Sequence, residues 1–411
     1  MLLSRILDPA LTQGRLTLID PQGHAHRLGP GGGPEVAIRL RDPALPRRLL
    51  LHPELATGEA YMDGQLTVEQ GSLRDFLALA NQCAEGIARM PLQRLLAAVG
   101  RPLRWLHQFN PARRAHRNVA HHYDLSDALY DLFLDRDRQY SCAYFPRGDE
   151  TLEEAQALKK RHIAAKLLLQ PGLRVLDIGS GWGGLALDLA RHDGVDVTGL
   201  TLSAEQLKVA RARAESEGLS PRVRFALRDY REETGFYDRI VSVGMFEHVG
   251  VAHYTRFFRQ LGERLAPDGV ALIHAIGRAD PPGDTNAWTR KYIFPGGYCP
   301  ALSEVVAAVE RSGLWLTDVE ILRLHYAETL RHWFDRFQAQ RDRARALYDE
   351  RFCRMWEFYL AGAEMAFRHG RLMVFQIQLA HQRDAVPLTR DYLYTHGGAA
   401  PAEQPLCGQQ A

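Results

Sequence analysis

Arg174-Val-Leu-Asp-Ile-Gly-Ser-Gly-Trp-Gly-Gly184 is the stretch on which the fold turns. An apolar run (Val175, Leu176, Ile178) breaks into four glycines within six residues, and an amphipathic pattern from Leu185 to His192 follows. That order reads as a strand, a tight turn and a helix opening, where backbone N–H groups can approach a nucleotide closely. A lone G-x-G is weak, so the reading depends on what comes after it.

More strands follow. Val195–Leu200 ends in Thr201-Leu-Ser-Ala-Glu-Gln206, Arg222–Leu227 in Asp229-Tyr230, and Tyr237–Val243 in Gly244-Met-Phe-Glu-His248. Val270–Ile276 carries His274, a sixth strand runs from about Trp315 to Leu324, and Arg371–Leu379 is the last. Strands alternating with helices imply an α/β fold, here a Rossmann-like sheet of seven strands, with ligands beyond the strands' carboxyl ends. Acidic, aromatic and glycine residues collect at those ends. The spacing from the glycine turn to Asp229 and Glu247 suits an S-adenosylmethionine (AdoMet) methyltransferase. A dinucleotide dehydrogenase would show G-x-G-x-x-G and an acidic residue about 20 positions later.

Several longer words carry a closer resemblance: Asn118-Val-Ala-His-His-Tyr-Asp-Leu-Ser126, Tyr140-Ser-Cys-Ala-Tyr-Phe145, the glycine stretch itself, Gly199–Gln206, Asp238–Gly250, Tyr292-Ile-Phe-Pro-Gly-Gly297 and Tyr326–Trp333. Together they resemble the cyclopropane-fatty-acyl-phospholipid synthases and their mycolic-acid relatives, in order, from about residue 118 to 379. The resemblance implies transfer of a methylene from AdoMet to a cis double bond of an unsaturated phospholipid acyl chain. It implies cofactor contacts from Tyr140, Ser141, Asp177, Gly179, Gly181, Thr201, Ser203, Gln206, Asp229 and Tyr230. It also implies a bicarbonate ion held by Cys142, Glu247, His274, the backbone of Ile276, and Tyr326. The chemistry needs such a base, because the cation left by methyl transfer must lose a proton inside an apolar pocket. A homodimer is implied as well.

The pattern departs from the family at two points. Ser180 stands where a Cys is usual, and Ala363 stands where the family often has a Cys. Cys353 therefore reads as core, not as a nucleophile. Ser203 and Gln206 also read as a helix capping box, which is compatible with a binding role. His121 and His122 lack a metal-ligand spacing, so no metal is expected.

The 411 residues are 46% apolar with a net charge of +2, which supports a real core and favours neither nucleic acid nor acidic ligands. Five cysteines without C-x-x-C give no disulfide framework or zinc site. Arg5, Asp8 and Pro9 interrupt any signal-peptide core, and no apolar run is long enough to span a bilayer. A cytoplasmic protein touching the membrane periphery is expected.

Residues 1–85 read as a small α+β module, with strands Arg15–Ile19 and Glu35–Leu40, turns at Gly29–Pro34 and Glu59–Gly64, and a helix at Ser72–Ala80. By resemblance this module is lipid-associated. Residues 86–117 read as a basic linker in which seven arginines alternate with Leu, Val, Trp and Phe. Such a linker can lie on anionic headgroups or form solvated inter-domain helices, and the sequence leaves both open. Residues 118–396 form the catalytic domain and 397–411 a disordered tail. The aromatic helices of 327–368 line an acyl channel or simply fill a core. The rival functions are methylation of the olefin without ring closure, lipid or AdoMet binding without turnover, and methylation of soluble small molecules.

Overall fold

The computed structural model describes residues 2–88 and 125–395. Most of the expected linker, the two adjacent histidines and the tail lie outside the described residues.

The larger sheet has seven strands: β5 (Arg174–Ile178), β6 (Asp196–Thr201), β7 (Val223–Leu227), β8 (Tyr237–Val243), β9 (Leu265–Arg278), β10 (Trp315–Ile321) and β11 (Leu372–Ala380). Their order is β10-β11-β9-β8-β5-β6-β7. β5 through β9 pair in parallel, whereas β11 runs antiparallel between β9 and β10. The chain steps outward from β5 to β7 and then returns to β8 on the other side of β5. The β5/β8 seam is therefore the switch point where such sheets open a crevice. Parallel strands are covered on both faces, which explains why β5 and β9 read as nearly continuous apolar runs.

A second sheet, in order β2-β1-β3-β4, comprises β1 (Gly14–Ile19), β2 (Ala25–Gly31), β3 (Glu35–Leu40) and β4 (Leu66–Gln70). Two expectations fail here. The turn expected at Gly29–Pro34 is half strand, since β2 pairs with β1 through Gly31. The segment Glu59–Gly64 is mainly the end of a helix, Pro53–Met62, and the turn begins only at Asp63. In both cases tertiary pairing overrides Gly- and Tyr-rich local chemistry.

The helix at Leu73–Ala88 covers this small sheet and packs, with Pro53–Met62, on a long helix at Glu350–Arg368. That helix belongs to the insertion after β10, with helices His325–Ala339 and Arg341–Leu347. The junction is tight. A Cβ on Gly58 would sit 2.4 Å from the Trp288 ring, and Trp288 Nε1 donates to Met62 Sδ at 3.2 Å. Tyr61 donates to Glu357 at 3.1 Å, and Arg74 pairs with Glu364 at 2.7 Å. One apolar cluster runs from Leu16, Ile38 and Leu79 in the module to Trp333, Trp356 and Tyr326 in the insertion.

Candidate active site

A cavity of about 160 Å³ opens at the β5/β8 seam. The turn after β5 forms its floor. Gly179 and Gly183 have φ of 87° and 84°, which side chains rarely adopt, and a Cβ on Gly183 would lie 2.6 Å from Phe225. The helix Gly184–Asp193 starts at this turn, so its free N–H groups open toward the cavity. The walls come from Thr201 and Gln206 after β6, Asp229, Tyr230 and Arg231 after β7, Met245 and His248 after β8, and Tyr140 and Ser141 from the other side.

Nine of the ten expected cofactor residues line this cavity; Ser203 does not. The Ser203 hydroxyl instead caps the helix Ala204–Ser216, accepting from Gln206 N at 3.3 Å. The capping box is only half formed, because the Gln206 side chain accepts from the Thr201 hydroxyl at 3.0 Å. Asp229 is gripped by Arg231 at 2.8 and 2.5 Å, which holds it at the rim. Asp177 is 1% exposed, and among the described residues its Oδ2 has no hydrogen-bond partner. Burial pushes its pKa up to about 7, partly offset by Lys159. A glycine floor and a helix N-terminus suit a ligand's carboxylate and an orphaned acid suits its ammonium, and AdoMet carries both.

The second expected set lies deeper. Glu247 follows β8, 7% exposed, and its Oε1 accepts from Ile276 N at 2.6 Å while Oε2 is unpartnered among the described residues. Burial raises its pKa to about 7, against the lowering pull of the Ile276 N–H. Tyr326 opens the helix His325–Ala339, edge-on to Trp333 and near Phe367. Burial first, then the charges of Tyr359, Cys142, Glu247 and Cys299, hold its phenol well above the ordinary value. Cys142 is buried, its thiol donating to Ala143 O at 3.2 Å.

His274 on β9 is held by Gln376, whose Nε2 donates to Nδ1 at 3.1 Å; that leaves the ring proton on Nε2. Burial and then Lys159, Lys166 and His162 depress its pKa to about 3, so it is neutral. Among the described residues no hydrogen bond joins Glu247 to His274. They are linked through β9, where Glu247 grips the backbone of Ile276, two residues beyond His274 and on the same face of the strand.

Sequence reading missed the braces behind this site. Gln156 and Lys159, on the inner face of the helix Leu152–Lys166, reach the segment that carries Tyr140 and Ser141. Gln376 on β11 was missed too. The only signal was helical spacing, which sets Gln156, Lys159 and Ile163 on one stripe. Cys353 is fully buried in the helix Glu350–Arg368, as core.

A family model for mycolic acid cyclopropane synthetase matches residues 110–377. The chain belongs to that family. A probable fatty acid methyltransferase of Pseudomonas putida is 36% identical over 94% of this chain and 99% of its own length. The cyclopropane-fatty-acyl-phospholipid synthase of Escherichia coli K12 is 37% identical over 84% of this chain and 88% of its own. A crystal structure of mycolic acid cyclopropane synthase CmaA1 complexed with SAH and CTAB superposes with a TM-score of 0.62 at 36% identity, covering 66% of this chain and 99% of that one. As a member of the mycolic acid cyclopropane synthetase family, the protein is an AdoMet-dependent methyltransferase.

Proposed function

We propose that this enzyme adds a methylene across a cis double bond of an unsaturated phospholipid acyl chain, closing a cyclopropane ring with bicarbonate as the proton acceptor. The observation that carries the reading is Glu247: a buried acid anchored to Ile276 N, its second oxygen unpartnered among the described residues, in the segment whose Met245 and His248 wall the AdoMet cavity, and with its charge acting on Tyr326.

When bound, AdoMet supplies an electrophilic methyl group. Asp177 would hold its ammonium, the Gly179–Gly181 turn its ribose, and Asp229 and Tyr230 its adenine. The alkene donates its π electrons to that methyl carbon, and an alkyl cation remains on the lipid. The S–CH3 bond breaks with its electron pair left on sulfur, and loss of one proton from the transferred carbon closes the ring, so unsaturated lipid and AdoMet balance as cyclopropane lipid, S-adenosylhomocysteine and a proton. A bicarbonate ion beside Glu247 would supply the base. Glu247, kept largely protonated below pH 7 by burial, can donate to that anion without repelling it. His274, neutral with its proton on Nε2, offers a second donor. Tyr326 would face the cation with its ring, and the aromatic wall of buried Trp333 and Tyr359 with partly buried Tyr140 keeps water out.

The Pseudomonas relative motivates a second reading, methylation without ring closure. The same cation would then lose its proton from a neighbouring chain carbon. Vesicles of unsaturated phospholipid incubated with labelled AdoMet separate the two. A mass gain of one methylene with loss of olefinic protons supports the ring, and the same gain with an olefin retained sinks it. Activity should fall in bicarbonate-depleted buffer and return when bicarbonate is added back. We further propose that the four-stranded module and the basic stretch after it bring a homodimer to the membrane surface. Sedimentation with anionic vesicles tests the docking, and light scattering the dimer. Among the described residues no helix is long and apolar enough to cross a membrane.

A further inference from the structure

Lys159 has no role in the chemistry above, yet it is 1% exposed and sits among the site's groups. Its ammonium donates to Gln139 Oε1 at 2.5 Å and to Ser141 Oγ at 2.9 Å, both neutral acceptors whose residues line the AdoMet cavity. Its neighbours on the same helix differ. Lys160 pairs with Asp137 and Asp188, and Lys166 with Glu320. Among the described residues Lys159 has no carboxylate within ion-pair distance. Burial lowers its pKa to about 8 even though the charges of Asp135 and Asp137 act on it from beyond that distance, and an anion arriving with a ligand would offset the cost.

The direction of its hydrogen bonds matters. Because Lys159 donates into the Ser141 oxygen, the hydroxyl proton of Ser141 must point elsewhere. Gln139 likewise accepts from Lys159, and its Nε2 is committed to Asp137. Helix Leu152–Lys166 thus sets the polarity of the segment over the cavity, aided by Gln156, which donates to the backbone oxygens of Gln139 and Ser141. Asp177, the buried acid in the same cavity, is close enough that Lys159 lowers its pKa. A positive group behind the 139–141 wall and an acid, Asp177, in the lining of the same cavity match the two charges of a zwitterion.

Resting on the AdoMet reading of the cavity, we propose that Lys159 is a positioning residue for the cofactor's carboxylate, aiming the Ser141 hydroxyl at it and supplying a positive charge behind the 139–141 wall. The test compares two ligands by calorimetry on the full chain: S-adenosylhomocysteine, and its decarboxylated analogue that keeps the amine. Wild type should bind the first about 30- to 100-fold more tightly. Lys159→Met, which keeps the buried stem, should collapse that preference to about threefold or less by weakening S-adenosylhomocysteine alone. Equal weakening of both ligands would show a merely structural role and overturn the proposal. Should Lys159→Met not fold, Ser141→Ala removes the relayed hydroxyl. It should reduce the same preference by about threefold to tenfold, and an unchanged preference overturns the proposal. Wild type binding S-adenosylhomocysteine without discriminating the analogue would refute the role of Lys159 while leaving the cavity reading intact. Binding neither ligand would refute both.

Discussion

Asp177→Asn should move stability and cofactor affinity in opposite directions. In the folded chain burial holds the Asp177 carboxyl at a pKa of about 7, against an ordinary value of 3.8. The raised value means that the native state keeps a proton the unfolded chain has released, so stability falls as pH climbs from about 4 to about 7. Above that window the full penalty is present. About three pKa units at 1.36 kcal/mol each set a ceiling of ~4 kcal/mol. Asn never ionises and escapes it, but its buried amide, facing no partner for Oδ2, costs about 1–3 kcal/mol. The variant should therefore be about 1–3 kcal/mol more stable than wild type at pH 8 and no more stable at pH 5. Its affinity for S-adenosylhomocysteine should drop about 100-fold at pH 8, because the ammonium loses its counter-charge. Wild-type affinity should rise about tenfold per pH unit between 5 and 7, with proton release on binding, and the variant should show no such slope. Thermal melts over this pH range, with calorimetry in two buffers of different ionisation enthalpy, measure all three quantities. An Asn variant that melts below wild type at pH 8 and retains its affinity would refute the reasoning.

Glu247→Gln should lower turnover on unsaturated phospholipid about 10²- to 10⁴-fold with S-adenosylhomocysteine affinity unchanged, as measured by product formation and calorimetry. Unaltered lipid conversion would count against Glu247 having any part in proton removal. Ser203→Ala should cost about 0.5–2 kcal/mol of stability through the lost helix cap while leaving cofactor affinity untouched, because Ser203 does not line the cavity. A large loss of affinity would return Ser203 to the binding set. Gly58→Ala should destabilise the chain by about 1–3 kcal/mol, since its methyl would overlap the Trp288 ring, and a denaturant titration reads this directly.

What the sequence made legible was what short-range pattern encodes. The β5 run, the glycine turn and the polar residues Thr201, Asp229 and Tyr230 at the ends of parallel strands follow from local periodicity, and the structure gathers them at one crevice. β2 and β4 were not legible. β2 is mostly polar and ends in glycine, and only pairing with β1 holds it extended. Lys159 was hidden for another reason: a lysine in a run of charged residues reads as a solvated face, and only the seat of its helix against the 139–141 segment buries it. The partners of the deep acids were equally invisible. Gln376 lies 102 residues from His274, and Ile276 lies 29 from Glu247. Such pairings belong to sheet register, which no local window contains.

The apolar cluster that passes without a break from the four-stranded sheet into the aromatic insertion has a thermodynamic corollary. The crystallised mycolic acid cyclopropane synthase CmaA1 matches only two thirds of this chain, so the catalytic fold can exist without a leading module of this length. Here, removing residues 1–88 would bare the apolar side of Phe358 and strip Glu357 and Glu364 of Tyr61 and Arg74. The protein should consequently melt in one cooperative step, with no plateau in which the seven-stranded half outlives the other.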